Sequence, residues 1–129
     1  MRDDEFLARV RELGEYENQR EAGEVTTAVL SVLATRLPGD TAEKLAAQLP
    51  EPLREGFREA AQPEAEAFGV EEFHRRVAEL VGGRALTAEQ DSGAVLTTVA
   101  EAVSGGELNR LLSHLPSGYA TMFGKPELA

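Results

Sequence analysis

Apolar residues recur along this chain at intervals of three and four, the spacing that puts them on one face of a helix. Phe6, Val10 and Leu13 form a first stripe, and Val25, Val29, Leu33 and Leu37 form a longer one on a helix from about Arg20 to Arg36. Asp3 or Asp4 caps the first helix and Gly14 ends it, while Pro38-Gly39 breaks the second. Asp40 followed by Glu43 has the form of a capping box, and opens a third helix with Ala42, Leu45, Ala46 and Leu49 inward. Pro50-Glu51-Pro52 stops that helix and starts a short fourth, Leu53 to about Ala60, with Leu53 and Phe57 apolar. No stretch alternates apolar and polar residues over strand length with turn signals on both sides. The pattern predicts an all-α fold.

The same grammar then returns. DEFLARVREL (4–13) is answered by EEFHRRVAEL (71–80), so that Phe6, Val10 and Leu13 match Phe73, Val77 and Leu80 at an offset of 67. Further on the offset becomes 66: Ala28-Val29-Leu30 matches Ala94-Val95-Leu96, Leu33 matches Val99, Leu49-Pro50 matches Leu115-Pro116, and Phe57 matches Phe123. Phe73, Val77, Leu80 and Val81 make the first stripe of this copy, and Gly82-Gly83 ends it. Thr87 with Gln90 is a second capping-box signal. The long helix carries Val95, Leu96, Val99 and Val103, and the next carries Leu108, Leu111, Leu112 and Leu115. Matches that hold register this far predict a tandem duplication of a three-helix unit with a short terminal helix. The repeats span 3–60 and 70–124, joined by the Ala/Glu/Pro-rich linker 61–69. Units this small are marginal on their own, so they are expected to pack against each other as one pseudo-symmetric bundle over a single domain, 1–129.

Composition narrows the function classes. The chain lacks cysteine, which removes disulfides, thiolate metal sites and thiol nucleophiles. Its start is charged and nowhere do 18 apolar residues run together, which predicts a soluble cytoplasmic protein with no membrane span. The net charge of −10 is shared, −5 from residues 1–60 and −5 from residues 61–129. Such a surface repels phosphate backbones and disfavours nucleic acid as a partner. The basic pairs Arg54/Arg58 and Arg75/Arg76 have Glu51, Glu55, Glu72 and Glu79 at helical distances, so pairing within helices accounts for them.

The residues that carry the duplication also carry a resemblance. EVTTAVLSVLATRLPG, AEKLAAQLPEPLREGF, EEFHRRV and AVLTTVAEAVSGGELNRLLSHLP together resemble a bacterial and archaeal family of unknown function, numbered twenty-two sixty-seven. The likeness runs from about Asp3 to Phe123, with the LAAQLP and SGGEL…LP segments its most distinctive parts. It implies a duplicated helical protein. It brings no catalytic residues and no established activity.

Few residues offer chemistry. Glu71 and His74 form a Glu-x-x-His step, the ligand pair of di-iron bundles, but Asp4 and Leu7 stand at the matching positions, so a repeat-symmetric metal site is incomplete. His114 and Ser113 are adjacent on a helix and do not face each other, and no acidic orienter accompanies them. The Gly82-Gly83-Arg84 loop precedes a helix but lacks P-loop spacing. Thr26, Thr27, Ser31, Thr35, Thr97 and Thr98 suit close packing of the long helices, with a polar ligand groove as the alternative. No cofactor is called for. Tyr119, Met122 and Phe123 lie near the C-terminus, where little chain remains to cover them, and are the candidate interaction face; closing the core as Leu53 and Phe57 do is the competing role. The ranking that results places a protein-interaction or regulatory module first, with an unidentified protein partner or self-association. A small-ligand-binding protein or enzyme using a groove between the repeats comes second, and a DNA-associated protein third.

Overall fold

A computed structural model describes residues 1–82 and 85–124. Its elements are α1 (Asp3–Gly14), α2 (Gln19–Arg36), α3 (Gly39–Gln48), α4 (Glu51–Ala60), α5 (Val70–Val81), α6 (Ala85–Ala102), α7 (Gly105–Ser113) and a closing 3₁₀ helix (Ser117–Phe123). The chain is all-helical, with no strand among the described residues. The long α2 and α6 pack against each other at the centre, α1 lies on both of them, and α5 does the same. α4 covers α2 from one side, the 3₁₀ helix covers α6, and α3 meets α7 at the far end.

The apolar stripes are what the bundle buries. Phe6, Val10, Leu33, Phe73, Val77 and Val99 are fully excluded from solvent, and Val29, Leu45, Val95 and Leu111 join them in one contiguous core. α2 and α6 are apolar nearly all round because other helices surround them. Two of their hydroxyl residues, Thr26 and Thr98, are buried, while Thr27, Ser31 and Thr35 leave a strip of α2 partly open. Thr26 donates to the Ala22 carbonyl and Thr98 to the Ala94 carbonyl, each at 2.8 Å, so small side chains satisfy themselves within their own helix and let neighbours come close.

Several helix ends differ from the pattern's expectation. Asn18 is the cap of α2, its Oδ1 accepting from the Glu21 amide at 2.9 Å. The cap residue of α3 is Pro38, which puts Asp40 inside the helix so that it forms no capping box with Glu43, and Glu43 pairs with Arg58 of α4. Thr87 falls inside α6, which begins at Ala85, and Gln90 turns to the Gly14 carbonyl. α1 ends with Glu15 in the left-handed region, φ 56°, one position after the glycine expected to take that role. Gly14 is needed for a different reason: a Cβ there would sit 2.2 Å from Cε2 of Tyr16.

The linker 61–69 is fastened along its length. The Pro63 carbonyl accepts from the Gly39 amide, and the Glu66 amide donates to the Thr35 carbonyl at 2.9 Å. The Phe68 carbonyl accepts from both Arg36 Nε (2.8 Å) and the Tyr119 hydroxyl (2.9 Å). Arg36, only 8% exposed, lies near both the Phe68 and Tyr119 rings, and Arg76 stacks over the Phe68 ring at 4.0 Å.

Candidate functional site

The α1–α2 turn is built to hold one tyrosine. Arg11 donates to the carbonyls of Tyr16 and Glu17, which folds the turn back on α1. The Tyr16 ring then lies against Gly14, and its hydroxyl donates to Asp91 Oδ1 of α6 at 2.5 Å. Gln90 adds a longer bond to the Gly14 carbonyl. Asp91 stands where the repeat match places Val25, so a carboxylate occupies a site that is apolar in the first half. Burial pushes the Asp91 carboxyl above the usual carboxylate range; the Tyr16 bond works against that rise and Glu21 adds to it. Burial first, and then the bond to Asp91, push the Tyr16 phenol well up, so it stays protonated.

Tyr16 and Asp91 lie in a cleft of about 1060 Å³ between the two halves of the chain. Its apolar walls include Leu7, Leu53, Leu80 and Val81, and Val25 and Gly23 contribute from α2. Asp3, Glu15, Glu21, Glu24 and Asp91 bring carboxylates to it. Arg20 is the basic residue of the lining and pairs with Glu24 at 3.2 Å. Among the described residues no cation pairs with Asp3, Glu15 or Glu21. Leu80 was expected inside the α5 stripe, yet it is 59% exposed at the lip of this cleft. Its repeat match, Leu13, packs on the core. The difference is one of neighbours: nothing among the described residues covers Leu80.

The side chains singled out from the sequence are scattered. Glu71 is exposed, while His74 is half-buried with Nδ1 3.3 Å from the Ser92 hydroxyl. Burial lowers the His74 pKa, and Glu89 opposes that shift. Among the described residues no three His, Asp or Glu side chains converge as a metal site would require. The Ser113 hydroxyl donates to the Arg110 carbonyl at 2.6 Å and not toward His114, which lies exposed at the end of α7.

Tyr119, Met122 and Phe123 are 0%, 7% and 1% exposed, so the proposed interaction face is corrected: these residues close the core. Tyr119 meets Phe73 edge-on at 5.7 Å, and Phe123 plugs the second half as Phe57 does the first. The 3₁₀ helix Ser117–Phe123 folds back against α6.

The basic pairs are occupied as their spacing suggested. Arg75 pairs with Glu72 and Glu79, and Arg76 with Glu72 and Glu66. Arg75 and then Arg76 hold the Glu72 carboxyl down to about 2. Arg58 pairs with Glu43 and Glu55, and Arg54 with Glu51 while also donating to the Ala46 and Leu49 carbonyls at the end of α3. Gly83 and Arg84 lie outside the described residues.

A helical bundle with an open, acid-lined cleft between its halves is the class that the fold and this geometry define. The chain belongs to the family described as "Uncharacterized conserved protein (DUF2267)", whose profile matches residues 3–122. No curated protein matches it. The family's description assigns no activity.

Proposed function

We propose that this protein is an interaction module, and that the cleft between α1, α2, α4, α5 and α6 is where a partner polypeptide sits. The observation that carries the reading is the cleft itself: about 1060 Å³, contributed by both halves, with apolar walls, an exposed leucine at its lip and carboxylates around it. A concavity with apolar walls and a polar rim is the usual form of a binding site, and Leu80 carries the apolar wall of this one out to its lip. A small-molecule site needs convergent polar anchors free to bind, and the two best-placed groups here, Tyr16 and Asp91, are already bonded to each other. Self-association of this face would bring two acidic rims together, which like-charge repulsion opposes.

Site-specific photo-crosslinking tests the reading. A benzophenone side chain at position 24, on the cleft, is expected to give discrete protein adducts in cells of the source organism. The same group at position 44, exposed on α3, is expected to give none of them. Identical adducts from both positions, or none from position 24, would rule the cleft out as the partner site.

A further inference from the structure

The cleft does not end at Tyr16. It continues as a trough along α2, between α4 and α5, where Ser31, Val32, Thr35, Ala60 and Leu80 line a further 320 Å³. Beyond Glu24, every α2 side chain up to Arg36 is buried except for Thr27, Ser31 and Thr35, which with Gly23 form an open strip at four-residue spacing. That strip is the floor, about 18 Å long at 1.5 Å per residue. Resting on the reading that the cleft is a partner site, we infer that the trough holds a single amphipathic helix of a partner protein, with its apolar stripe on α2 and lysine or arginine along its flanks.

The matched strip on α6 shows what an occupied version looks like. Gly93, Thr97 and Glu101 stand at the positions of Thr27, Ser31 and Thr35. There the chain covers its own groove: Thr97 donates to the Met122 carbonyl of the 3₁₀ helix, and α1 reaches across so that Arg9 clasps Glu101 at 2.8 and 3.0 Å. In the first half no such side-chain clasp spans the strip among the described residues; only its far end is tied, where the Glu66 amide of the linker bonds the Thr35 carbonyl. Thr35 has no charge to offer, and Arg76, the match of Arg9, is turned to Glu66 and Glu72. The result is a groove whose twin is closed by helical elements and which itself stands open beside an exposed leucine.

The occupant's chemistry follows from the walls. Helices line the trough on every side and spend their backbone groups internally, so an extended strand would find no ladder to join; a helix brings its own hydrogen bonds. Small residues on the floor let its backbone approach, and Leu80, Leu53 and Val32 meet its apolar stripe. The wide end carries the carboxylates of Asp3, Glu15 and Glu21, which have no cation partner among the described residues, and the narrow end carries Glu79. Both cations in the lining, Arg20 and Arg76, are already paired. Charge complementarity therefore calls for a basic helix and excludes a second copy of this acidic chain.

The test uses two fluorescent helical peptides of about 18 residues, with leucines at i, i+4, i+7 and i+11 and either lysine or glutamate elsewhere. The lysine peptide is expected to bind, to weaken as salt rises, and to exceed the glutamate peptide by about tenfold or more. Ser31→Trp, which fills the floor, and Leu80→Gln, at a position too exposed to affect folding, are each expected to weaken it by roughly tenfold, with Lys44→Ala neutral. Equal binding of the two peptides, or binding indifferent to both variants, overturns the inference. The photo-crosslink separates the two levels of the argument. Adducts at position 24 that saturating lysine peptide displaces support the helical partner. Adducts that it leaves untouched overturn the helical partner alone, and absence of adducts removes the cleft reading with it.

Discussion

Replacing Tyr16 by phenylalanine probes the contact that ties the two halves together at the cleft. The ring stays, so packing against Gly14 is kept, and only the hydroxyl bonded to Asp91 at 2.5 Å is lost. A hydrogen bond to a charged acceptor is worth about 1.5–3 kcal/mol, and the partial exposure of Tyr16 reduces that to about 1–2 kcal/mol. With an unfolding entropy of roughly 2.1 cal/mol/K per residue over 129 residues, the midpoint should fall by roughly 4–7 °C. The loss should also depend on pH. The folded state holds the Asp91 proton more tightly than the unfolded chain, whose aspartates titrate near about 3.9. Asp91 therefore favours folding fully below that value, and the benefit disappears as pH rises through the raised folded pKa. Tyr16 stabilises the charged form, so its removal costs most at neutral pH and less once Asp91 is protonated. Thermal melts of the wild type, Tyr16→Phe, Asp91→Val and the double variant, at neutral and acid pH, measure this as a coupling energy. A coupling near zero at neutral pH, or a Tyr16→Phe cost that does not shrink on acidification, would refute the reasoning.

Two glycines should respond with opposite signs to alanine. Gly14→Ala forces the Tyr16 ring away and is expected to cost about 1–3 kcal/mol, whereas Gly93→Ala, with open space at its Cβ, is expected to gain up to about 1 kcal/mol in denaturant titrations. Arg36→Ala removes the cation that holds the Phe68 carbonyl, so it should lower stability by about 1.5–3 kcal/mol and speed cleavage of the linker after Glu64 or Glu66 by a glutamate-specific protease. Leu33→Ala truncates a side chain with no solvent exposure and is expected to cost about 2–5 kcal/mol by the same titration. Duplex DNA should not be retained at physiological ionic strength in a gel-shift titration, since Arg54, Arg58, Arg75 and Arg76 are all paired with carboxylates; micromolar, salt-sensitive binding would contradict this.

By itself the order of residues determined where helices form and which of their faces are apolar. Phe6, Val10, Leu33, Phe73 and Val99 could be assigned to the core because helical periodicity is a local property, written into residues three and four apart. Pro38, Pro50, Gly82 and Pro116 marked breaks for the same local reason. Little of the cleft was legible. Tyr16 and Asp91 are 75 positions apart, and neither carries a pattern that points to the other. Of the strip Gly23, Thr27, Ser31 and Thr35, the three hydroxyl residues were legible as a set suited to packing, with a polar ligand groove as the alternative, and Gly23 carried no signal. What the tertiary structure alone decided was which apolar faces find a cover. Leu13 and Leu80 occupy matched places on matched helices, yet one is packed and the other is 59% exposed. Tyr119, Met122 and Phe123 offered an interaction face by local pattern, yet they are buried where the 3₁₀ helix packs on α6. Burial depends on segments remote in sequence arriving at the same place, and no local pattern encodes that arrival.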